Sequence, residues 1–299
     1  MTLQQLKYVV TVAECGNITE AAKQLFVSQP TVTSAIHDLE KEMQIVIFVR
    51  TNKGVILSED GERFLGHARQ VLEQVDLIEG IYKNDVVSKP HFAVSCQHYS
   101  FAVNAFVDVI RRFDAYQYDF TIREEQTHEI IEDVTNLKSE LGVIYLSSKN
   151  TEVLSKMIKR NELEFTELFT ATPHVFICDS HPLAKKKSIT MEDLQDYPYL
   201  TYEQGEYNSQ YFSEEFVSTL DSRKNIRVRD RATLFNLIIG LNGYTVCSGV
   251  ISAELNGRNI ISKPLDVEEY MQIGIITRKG VVLSRYAREY IEALKAHCM

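Results

Sequence analysis

The stretch AAKQLFVSQPTVTSAIHDLEKEM, residues 21–43, decides the fold of the N-terminal part of the chain. It combines a short helical segment with adjacent alanines, a turn at Phe26-Val27 and a second helix. Ser28 is placed to cap the second helix, and Pro30 falls in its first turn, where a missing N–H costs little. This order is typical of a helix-turn-helix, although other small helical bundles share the spacing.

The second helix is predicted to bury one face and expose a polar one. Val32, Ile36 and Leu39 repeat at helical spacing and predict the buried stripe. At about 100° per residue, the opposite face and the helix start carry hydroxyl, amide and imidazole groups, where a merely solvated face usually carries Lys and Glu. Such groups suit base edges and phosphates. We therefore expect DNA contacts from Gln29, Pro30, Thr31, Thr33, Ser34 and His37.

Upstream of this stretch, one more helix is predicted. Leu3, Leu6, Val10 and Ala13 lie at 3-4-3 spacing and predict an apolar helix face. Thr19 is placed to cap the short helix that follows.

Downstream, the apolar runs at 45–49 and 55–57 predict a β-hairpin with Asn and Gly in its turn. Arg50 and Lys53 at its tip are placed to contact phosphates, as in the wing of a winged helix, whereas a plain surface hairpin is the alternative. Residues 1–58 hold five Lys or Arg and five Asp or Glu. We therefore expect modest nonspecific affinity for DNA and a shallow salt dependence.

A long helix is predicted from Glu59, capped by Ser58, to about Tyr82. Its apolar residues follow heptad-like spacing, which predicts a dimerisation seam, while packing on its own domain is the alternative. The seam consists of Phe64, Ala68, Val71, Val75, Ile78 and Tyr82. The polar residues that follow predict a hinge, so we expect domains at 1–58, 59–89 and 90–299.

Residues 90–299 alternate between strand-like and helical patterns, which predicts α/β units around parallel or mixed sheets. A part of this length is large enough for two lobes with a cleft between them. The overall fold class is therefore α+β and multidomain.

Composition excludes several classes of protein. The chain has 299 residues, 44% of them hydrophobic and 24% charged, and a net charge of −9, so nucleic-acid contacts must be local. No apolar run approaches the roughly 20 residues that span a bilayer, and the stretch MTLQQLKYVV shows no secretory signal. Five cysteines without a CxxC pair favour reduced thiols in a cytoplasm and no structural metal site. We expect no membrane partner and no cofactor.

In this order, the segments resemble the LysR-type transcriptional regulators. The resemblance is strongest over residues 3–65, where AAKQLFVSQPTVTSAIHDLEKEM, Phe48-x-Arg50 and LSEDG at 57–61 look like that family's helix-turn-helix, wing and linker-helix start. HPLAKKKSITMEDL at 181–194 is also similar to a recurrent family segment. Ala35 and Gln44 depart from the family pattern, which commonly has Arg and Gly there.

The resemblance implies a winged-helix DNA reader, a dimerising linker helix and a two-lobed effector domain like periplasmic binding proteins. It further implies promoter DNA and RNA polymerase as partners and assembly as a homodimer or homotetramer. By this analogy the first lobe covers 90–162 and 267–299, and the second covers 163–266.

An effector cleft is expected at loops that follow strands, where open α/β sheets bind ligands. Two of these loops start helices, whose N–H groups suit a carboxylate or other anion, so we expect an anionic or amino-acid-related effector. Capping or surface roles are the alternative for each residue. The candidates are Gln97, His98, Tyr99, Ser100, Gln126, Thr127, Thr201, Tyr202, Glu203, Thr233 and Ser248. His98, Tyr99 and the run at 230–233 also resemble a branch of the family tied to methionine and sulfur amino-acid uptake.

Sequence features also bear on three alternative functions. An enzyme is disfavoured because HExxH, GxSxG, Walker A and GxGxxG motifs are all missing, and we expect no catalytic residue. A redox switch would use Cys96, which lies near His98, while Cys178 and Cys247 fall in apolar runs. A ligand-binding module without DNA function is disfavoured by the N-terminal 58 residues. The effector, the operator, the sign of regulation and the choice between dimer and tetramer stay open.

Overall fold

The computed structural model describes residues 1–52, 54–83, 90–113, 117–205, 211–215, 222–251 and 257–298. The chain forms two compact units. The first contains residues 1–90 with 136–138, and the second contains 91–135 with 139–299.

The first unit has the element order of a winged helix. Three helices come first, a two-stranded antiparallel hairpin follows, and a long helix ends the unit. The elements are α1 (Leu3–Cys15), α2 (Ile18–Gln24), α3 (Gln29–Met43), β1 (Phe48–Thr51), β2 (Gly54–Leu57) and α4 (Glu59–Lys83). The predicted helix-turn-helix, wing and linker helix are thus confirmed.

Two local predictions in this unit need correction. In α1, Leu6 is buried and Val10 and Ala13 pack against the core as predicted, but Leu3 is 44% exposed. The buried face is completed by Tyr8, Val9 and Val12. Asn17, and not Thr19, caps α2, because its Oδ1 accepts the backbone N–H groups of the second and third helical residues at 2.8 and 3.2 Å.

Two contacts hold the wing against the helices. Glu40 on α3 accepts the backbone N–H groups of Ile47 and Phe48 at 2.7 and 3.1 Å, which explains why β1 begins at Phe48 and not at residue 45. Gly54 has φ +141°, and a Cβ there would stand 2.3 Å from the carbonyl oxygen of Gly16. Only glycine allows this close approach, so the wing position depends on it.

The second unit is built on a five-stranded sheet with the order β4-β3-β5-β12-β6. The first three of these strands are parallel, and β12 runs antiparallel to both of its neighbours. The elements up to β6 are β3 (His91–Cys96), α5 (Ser100–Phe113), β4 (Asp119–Glu124), α6 (Thr127–Thr135), β5 (Leu141–Leu146), α7 (Thr151–Arg160) and β6 (Leu163–Ala171).

A smaller three-stranded sheet, with the order β10-β7-β11, and a parallel pair, β8-β9, form the second lobe of this unit. The remaining elements are β7 (His174–Cys178), a 3-10 turn (Glu192–Leu194), β8 (Tyr199–Tyr202), β9 (Asn225–Val228), α8 (Arg231–Leu241), β10 (Thr245–Cys247), β11 (Ile260–Pro264), β12 (Met271–Arg278) and α9 (Arg285–Cys298).

One expected lobe boundary differs from the structure. We expected the second lobe to begin at residue 163, but β6 pairs with β12 from Leu163 opposite Arg278 to Ala171 opposite Met271. This strand therefore belongs to the first sheet, and the chain enters the second lobe after it. No local sequence pattern reveals the pairing of β6 with β12, because the two strands lie far apart in the sequence.

Among the described residues, none of the helices combines the length and the apolar character that crossing a membrane requires.

Candidate DNA-binding surface and effector pocket

The polar face of α3 is open to solvent as predicted. Its buried residues are Val32, Ile36 and Leu39, which places the predicted contact residues on the other side. Five of these are exposed, namely Gln29, Pro30, Thr31, Ser34 and His37. Thr33 is half-buried, and its hydroxyl donates to the Gln29 carbonyl at 3.1 Å and accepts from the Gln29 amide at 2.9 Å. The surface can therefore offer amide, hydroxyl and imidazole groups to DNA.

The turn before α3 holds a residue that sequence reasoning left aside. Phe26 is 96% exposed and adopts φ 56°, which is uncommon for a bulky residue. Its only sequence signal is an aromatic side chain at the turn between two helices. Ser28 caps α3 as predicted and also bonds the Thr31 hydroxyl at 2.7 Å.

The wing presents one of its two predicted cations. Arg50 on β1 is exposed, and it lies on the strand and not in the turn. Lys53 lies outside the described residues. The hairpin turn is shorter than predicted, because β1 continues to Thr51.

The apolar seam of α4 divides into two halves. Ala68 is buried and Phe64 packs against the core of the first unit, where α4 contacts α1. Further along, Val71 is 41% exposed and Ile78 is 58% exposed, and Val75 is half-buried. The side chain of Tyr82 and the expected hinge at 84–89 lie outside the described residues. The first half of the seam therefore packs within its own unit, whereas Val71 and Ile78 in the second half are exposed in the single chain.

A pocket opens between the two lobes of the second unit, and part of it is continuous with solvent. The first lobe supplies the loop before α5, and the second lobe supplies β7, β8, β10 and the start of α8. The segment 211–215, whose Phe212 packs in the core of the first lobe, completes the lining. Five predicted residues line it, namely His98, Tyr99, Ser100, Tyr202 and Ser248. The predicted cleft at strand ends therefore exists.

The other six predicted effector residues lie outside the lining: Gln97, Gln126, Thr127, Thr201, Glu203 and Thr233. Gln97 is buried within the first lobe, where its Oε1 accepts from the Tyr145 backbone N–H at 3.0 Å and its amide donates to the Thr127 hydroxyl at 2.7 Å. Glu203 is ion-paired with Arg229 at 2.8 Å. Gln97 therefore braces the loop before α5 from within the first lobe, and Glu203 forms its ion pair at the protein surface, so neither side chain lines the pocket.

Thr233 and Gln126 have local roles. The Thr233 hydroxyl and backbone N–H both donate to Asp230, the cap of α8, at 2.7 and 2.8 Å. Gln126 donates its backbone N–H to Glu129 at 3.2 Å. Thr233 therefore takes part in the N-terminal cap of α8, which agrees with the alternative of a capping role.

The structure adds pocket residues that sequence reasoning missed. Their charged members are Glu214, Glu215 and Arg231, and their apolar members include Phe176, Phe235 and Val250. Of these, only Arg231 had a sequence signal, since it opens a helix within the run at 230–233. The two glutamates follow in a polar stretch with no periodicity, so nothing local marked them as buried.

His98 uses both ring nitrogens, one toward the segment 211–215 and one toward the second lobe. Its Nδ1 lies 2.7 Å from Glu214 Oε2, its Nε2 lies 3.1 Å from the Arg229 carbonyl oxygen, and its ring stacks on Tyr202 with centroids 3.9 Å apart. Burial opposes the charged imidazolium, but Glu214 outweighs this and raises the pKa of His98 above its usual value. Only the imidazolium can donate to both acceptors at once.

Glu214 occupies the place that we expected for an effector anion. Its Oε2 also accepts the His98 backbone N–H at 2.9 Å, and its Oε1 accepts the Gln204 amide at 3.1 Å. The expected anion site at the loop before α5 is therefore filled by the protein's own carboxylate.

Glu215 has a different environment. Its carboxylate accepts from the Tyr202 backbone N–H at 2.6 Å and from the Ser213 hydroxyl at 2.9 Å. Burial, and next the charge of Glu214, raise the pKa of Glu215 to about 8. At neutral pH this group is mostly protonated.

Arg231 forms an ion pair with Glu124 at 2.9 Å at the start of α8. Burial raises the pKa of Glu124 above its usual value, and Arg231 opposes this rise. The cation is thus already partnered by the first lobe.

The structure disfavours Cys96, the candidate thiol of the alternative redox switch, as a reactive group. Cys96 is fully buried at the end of β3, and burial, followed by the charge of Glu124, raises its pKa well above the usual value. Burial also raises the pKa of Cys247, and Cys178 is 1% exposed. A thiol that stays protonated and shielded is a poor nucleophile.

A winged helix-turn-helix followed by a two-lobed α/β unit with a polar pocket defines a DNA-binding regulator that senses a small molecule. A family model described as "Bacterial regulatory helix-turn-helix protein, lysR family" matches residues 3–62, and one described as "LysR substrate binding domain" matches residues 96–299. The chain belongs to the LysR family of transcriptional regulators. It is a DNA-binding transcriptional regulator with an effector-binding domain, and members of this family bind promoter DNA and oligomerise.

Individual relatives are distant but cover the whole chain. The DNA-binding transcriptional dual regulator OxyR of Escherichia coli K12 is 24% identical over 304 residues, which is 99% of this chain and 95% of the relative. A full-length OxyR variant from Pseudomonas aeruginosa has a TM-score of 0.65 at 22% identity and covers 99% of this chain and 98% of its own. The LysR family regulator CbnR has a TM-score of 0.54 at 18% identity and full coverage of both chains. At these identities, the two structures show a shared fold.

Proposed function

We propose that this regulator binds a small-molecule effector in the pocket between the lobes and that binding alters its occupancy of promoter DNA. The observation that carries this proposal is the lining of one pocket by both lobes, with Tyr99 and Ser100 from one side and Tyr202 and Ser248 from the other. A ligand that touches both lobes favours the lobe arrangement in which it makes more contacts. Its effect is limited by the difference between its affinities for the two arrangements.

We further propose that α3 and the wing supply the DNA contacts. The exposed amide and hydroxyl groups of Gln29 and Ser34 support base readout, and Arg50 supports a phosphate contact. Because the N-terminal domain is electrically balanced, recognition depends on two half-sites bound by a dimer.

A second copy of the chain is the proposed occupant of the exposed half of the α4 seam. Val71 and Ile78 lie seven residues apart, so they share one face of α4, and both are exposed in the single chain. This seam would hold two DNA-binding units at a set distance. RNA polymerase is the expected partner of the promoter-bound oligomer.

Binding, and not catalysis, is the proposed activity, because the family consists of transcriptional regulators. A promoter-binding protein of bacteria works where the chromosome is, which places it in the cytoplasm. The effector class expected from the sequence is anionic or amino-acid-related.

The test combines a metabolite screen with DNA footprinting. A ligand at 100 times its dissociation constant adds about 2.7 kcal/mol to the free energy of unfolding, which a thermal-shift screen of metabolites detects. We expect the hit to change the footprint of wild type, and to lose affinity in Ser100→Ala and Ser248→Ala. Glu203→Gln, which changes a side chain outside the pocket, is the matched control. An unchanged footprint with every stabilising metabolite would contradict the proposal.

Control by a cysteine is the second candidate, because three relatives are each described as "Hydrogen peroxide-inducible genes activator". The burial of Cys96 and Cys178 speaks against it. We expect maleimide to label neither thiol in the folded protein, and hydrogen peroxide to leave the footprint of wild type and Cys96→Ser alike. Rapid labelling of Cys96, with a response to peroxide that Cys96→Ser lacks, would reverse this conclusion.

A further inference from the structure

Two adjacent carboxylates reach the pocket from segment 211–215, and their partners differ in charge. Glu214 and Glu215 are 5% and 1% exposed. Glu214 is ion-paired with His98 at 2.7 Å. Glu215 accepts hydrogen bonds from neutral donors alone, the Tyr202 backbone N–H and the Ser213 hydroxyl. Only one member of this acidic pair therefore has a counter-charge.

Among the carboxyl groups around the pocket, that of Glu215 has no counter-charge within the described residues. His98 balances Glu214, and Arg231 balances Glu124. Within the described part of the chain, no Lys, Arg or His forms an ion pair with Glu215. The sequences that flank the segment, EYNSQ at 206–210 and FVSTLD at 216–221, contain no Lys or Arg. A buried carboxylate in this situation holds a proton until a cation arrives, which agrees with the raised pKa of Glu215.

A second side chain in the same pocket also lacks a partner. Thr245 lines the pocket and is 4% exposed, and its hydroxyl has no hydrogen-bond partner among the described residues. Buried polar groups are nearly always hydrogen-bonded, so an unsatisfied hydroxyl that faces a cavity indicates a group supplied by a ligand. The neighbouring walls, Phe176 and Phe235, are apolar. The pocket thus combines a carboxyl group without a counter-charge, a hydroxyl without a hydrogen-bond partner and an aromatic wall.

We propose that the effector carries a protonated amino group, which binds the Glu214–Glu215 pair, together with a short apolar body and a polar group that bonds Thr245. This inference rests on the proposed function, since it assigns the ligand class of the same pocket. It favours an amino acid or a simple amine over a purely anionic effector, because the protein's own Glu214 already fills the expected anion site.

Binding of an ammonium group has a proton balance that can be measured. In the free protein at pH 7, Glu215 is mostly a neutral acid, and the ligand ammonium keeps its proton because amines of this type have a pKa near that of Lys, about 10.4. When the ammonium binds, the Glu215 proton leaves to solvent and the ion pair forms. Binding therefore releases close to one proton, and the affinity rises as the pH is raised through the pKa of Glu215.

The first experiment compares four probes by thermal shift on the full chain at pH 7 and constant ionic strength: n-pentylammonium chloride, norleucine, 1-pentanol and sodium hexanoate. We expect pentylammonium or norleucine to raise the Tm, and pentanol and hexanoate to leave it unchanged. Stronger stabilisation by norleucine identifies an amino acid, and stronger stabilisation by pentylammonium identifies a simple amine. We expect Glu215→Gln to weaken the better amine at least tenfold. The control Glu203→Gln keeps wild-type affinity.

The second experiment measures proton release by isothermal titration of the same amine at pH 7 in phosphate and in Tris. We expect close to one proton released by wild type and by Thr245→Val, and we expect Thr245→Val to bind norleucine, which carries a second polar group, more weakly. If Glu215→Gln fails to fold, these two proteins still decide the matter, because binding without proton release would overturn the inference.

Two outcomes separate this inference from the proposed function. Stabilisation by hexanoate alone, together with a changed footprint, would preserve the effector pocket and overturn the ammonium assignment. The absence of stabilisation by any of the four probes would overturn the assignment as well, while the metabolite screen and the footprint decide the proposed function separately.

Discussion

Glu215 shows at the residue scale how one buried carboxylate couples the effector-binding unit to pH. Its pKa is raised from 4.5 to about 8, so the folded chain holds a proton that the unfolded chain has lost. Between these values, the free energy of unfolding falls as the pH rises, by at most about 1.4 kcal/mol per pH unit. His98, whose pKa is also raised, acts in the same direction above its usual value, because the ion pair is lost as the imidazolium deprotonates.

We therefore predict that stability decreases from pH 5 to pH 8 and that Glu215→Gln flattens this decrease. The measurement is the urea midpoint as a function of pH. Glu203→Gln is the control, because the pKa of Glu203 is lowered by Arg229 and its contribution changes only at acidic pH. Equal pH profiles for wild type and Glu215→Gln would contradict the raised pKa.

Gln29 and Arg50 are expected to act differently on DNA. Gln29→Ala removes an exposed amide that can bond a base edge, so it should relax sequence choice and cost about 1–3 kcal/mol at the preferred site. Arg50→Ala removes a phosphate contact, so it should weaken all sequences about equally and reduce the salt slope by about 1. Binding titrations on specific and scrambled duplexes at several salt concentrations distinguish them. A uniform loss with Gln29→Ala would refute its role in base readout.

At the element scale, the apolar face of α4 is buried in the first half of the helix and exposed in the second half. Ala68 and Phe64 are covered within the first unit, whereas Val71 and Ile78 are exposed. An apolar stripe that continues past the point where its own domain ends requires a partner surface.

We predict that Val71→Glu with Ile78→Glu lowers the oligomeric state, because each buries a charge in the proposed seam. Gln74→Glu, an exposed position off this stripe, is the matched control. Sedimentation velocity measures the state, and specific DNA affinity should fall with it, since one reader alone binds one half-site. An unchanged sedimentation profile in the double variant would place the interface elsewhere.

At the scale of the whole molecule, His98 is one of the side chains that join the two lobes of the effector-binding unit, and Arg231 is another through its ion pair with Glu124. His98 comes from the first lobe, its partners Arg229 and Tyr202 come from the second, and its partner Glu214 lies on the segment 211–215. The pocket lies beside this contact, so a ligand that touches Glu214 or Tyr202 contacts the same residues that bind His98.

We predict that His98→Ala destabilises the effector-binding unit by about 3–5 kcal/mol, because it leaves Glu214 buried without its cation. His91→Ala is the control, since the side chain of His91 is 69% exposed and its ion pair with Asp119 should contribute less than about 1 kcal/mol. Urea unfolding at pH 6.5 measures both. Similar losses in the two variants would show that the buried pair has no special role.

The N-terminal fold could be read from the chain because its determinants are local. Val32, Ile36 and Leu39 lie within two turns of one helix, and the cap Ser28 stands next to it, so the periodicity and the cap predicted α3 correctly. The wing followed from two apolar runs around a turn. The N-cap of α2 was predicted at Thr19 and is Asn17, so this error is only two residues.

The ligand chemistry of the pocket was decided by tertiary structure alone. Glu214 lies 116 residues from His98 in the sequence, and β6 pairs with a strand more than a hundred residues later. Burial, ion pairing and pKa depend on distances through space, which local periodicity does not encode. The sequence alone therefore determined that this protein reads DNA through a helix-turn-helix, whereas only folding brought two carboxylates and a histidine together at the pocket proposed to bind the effector.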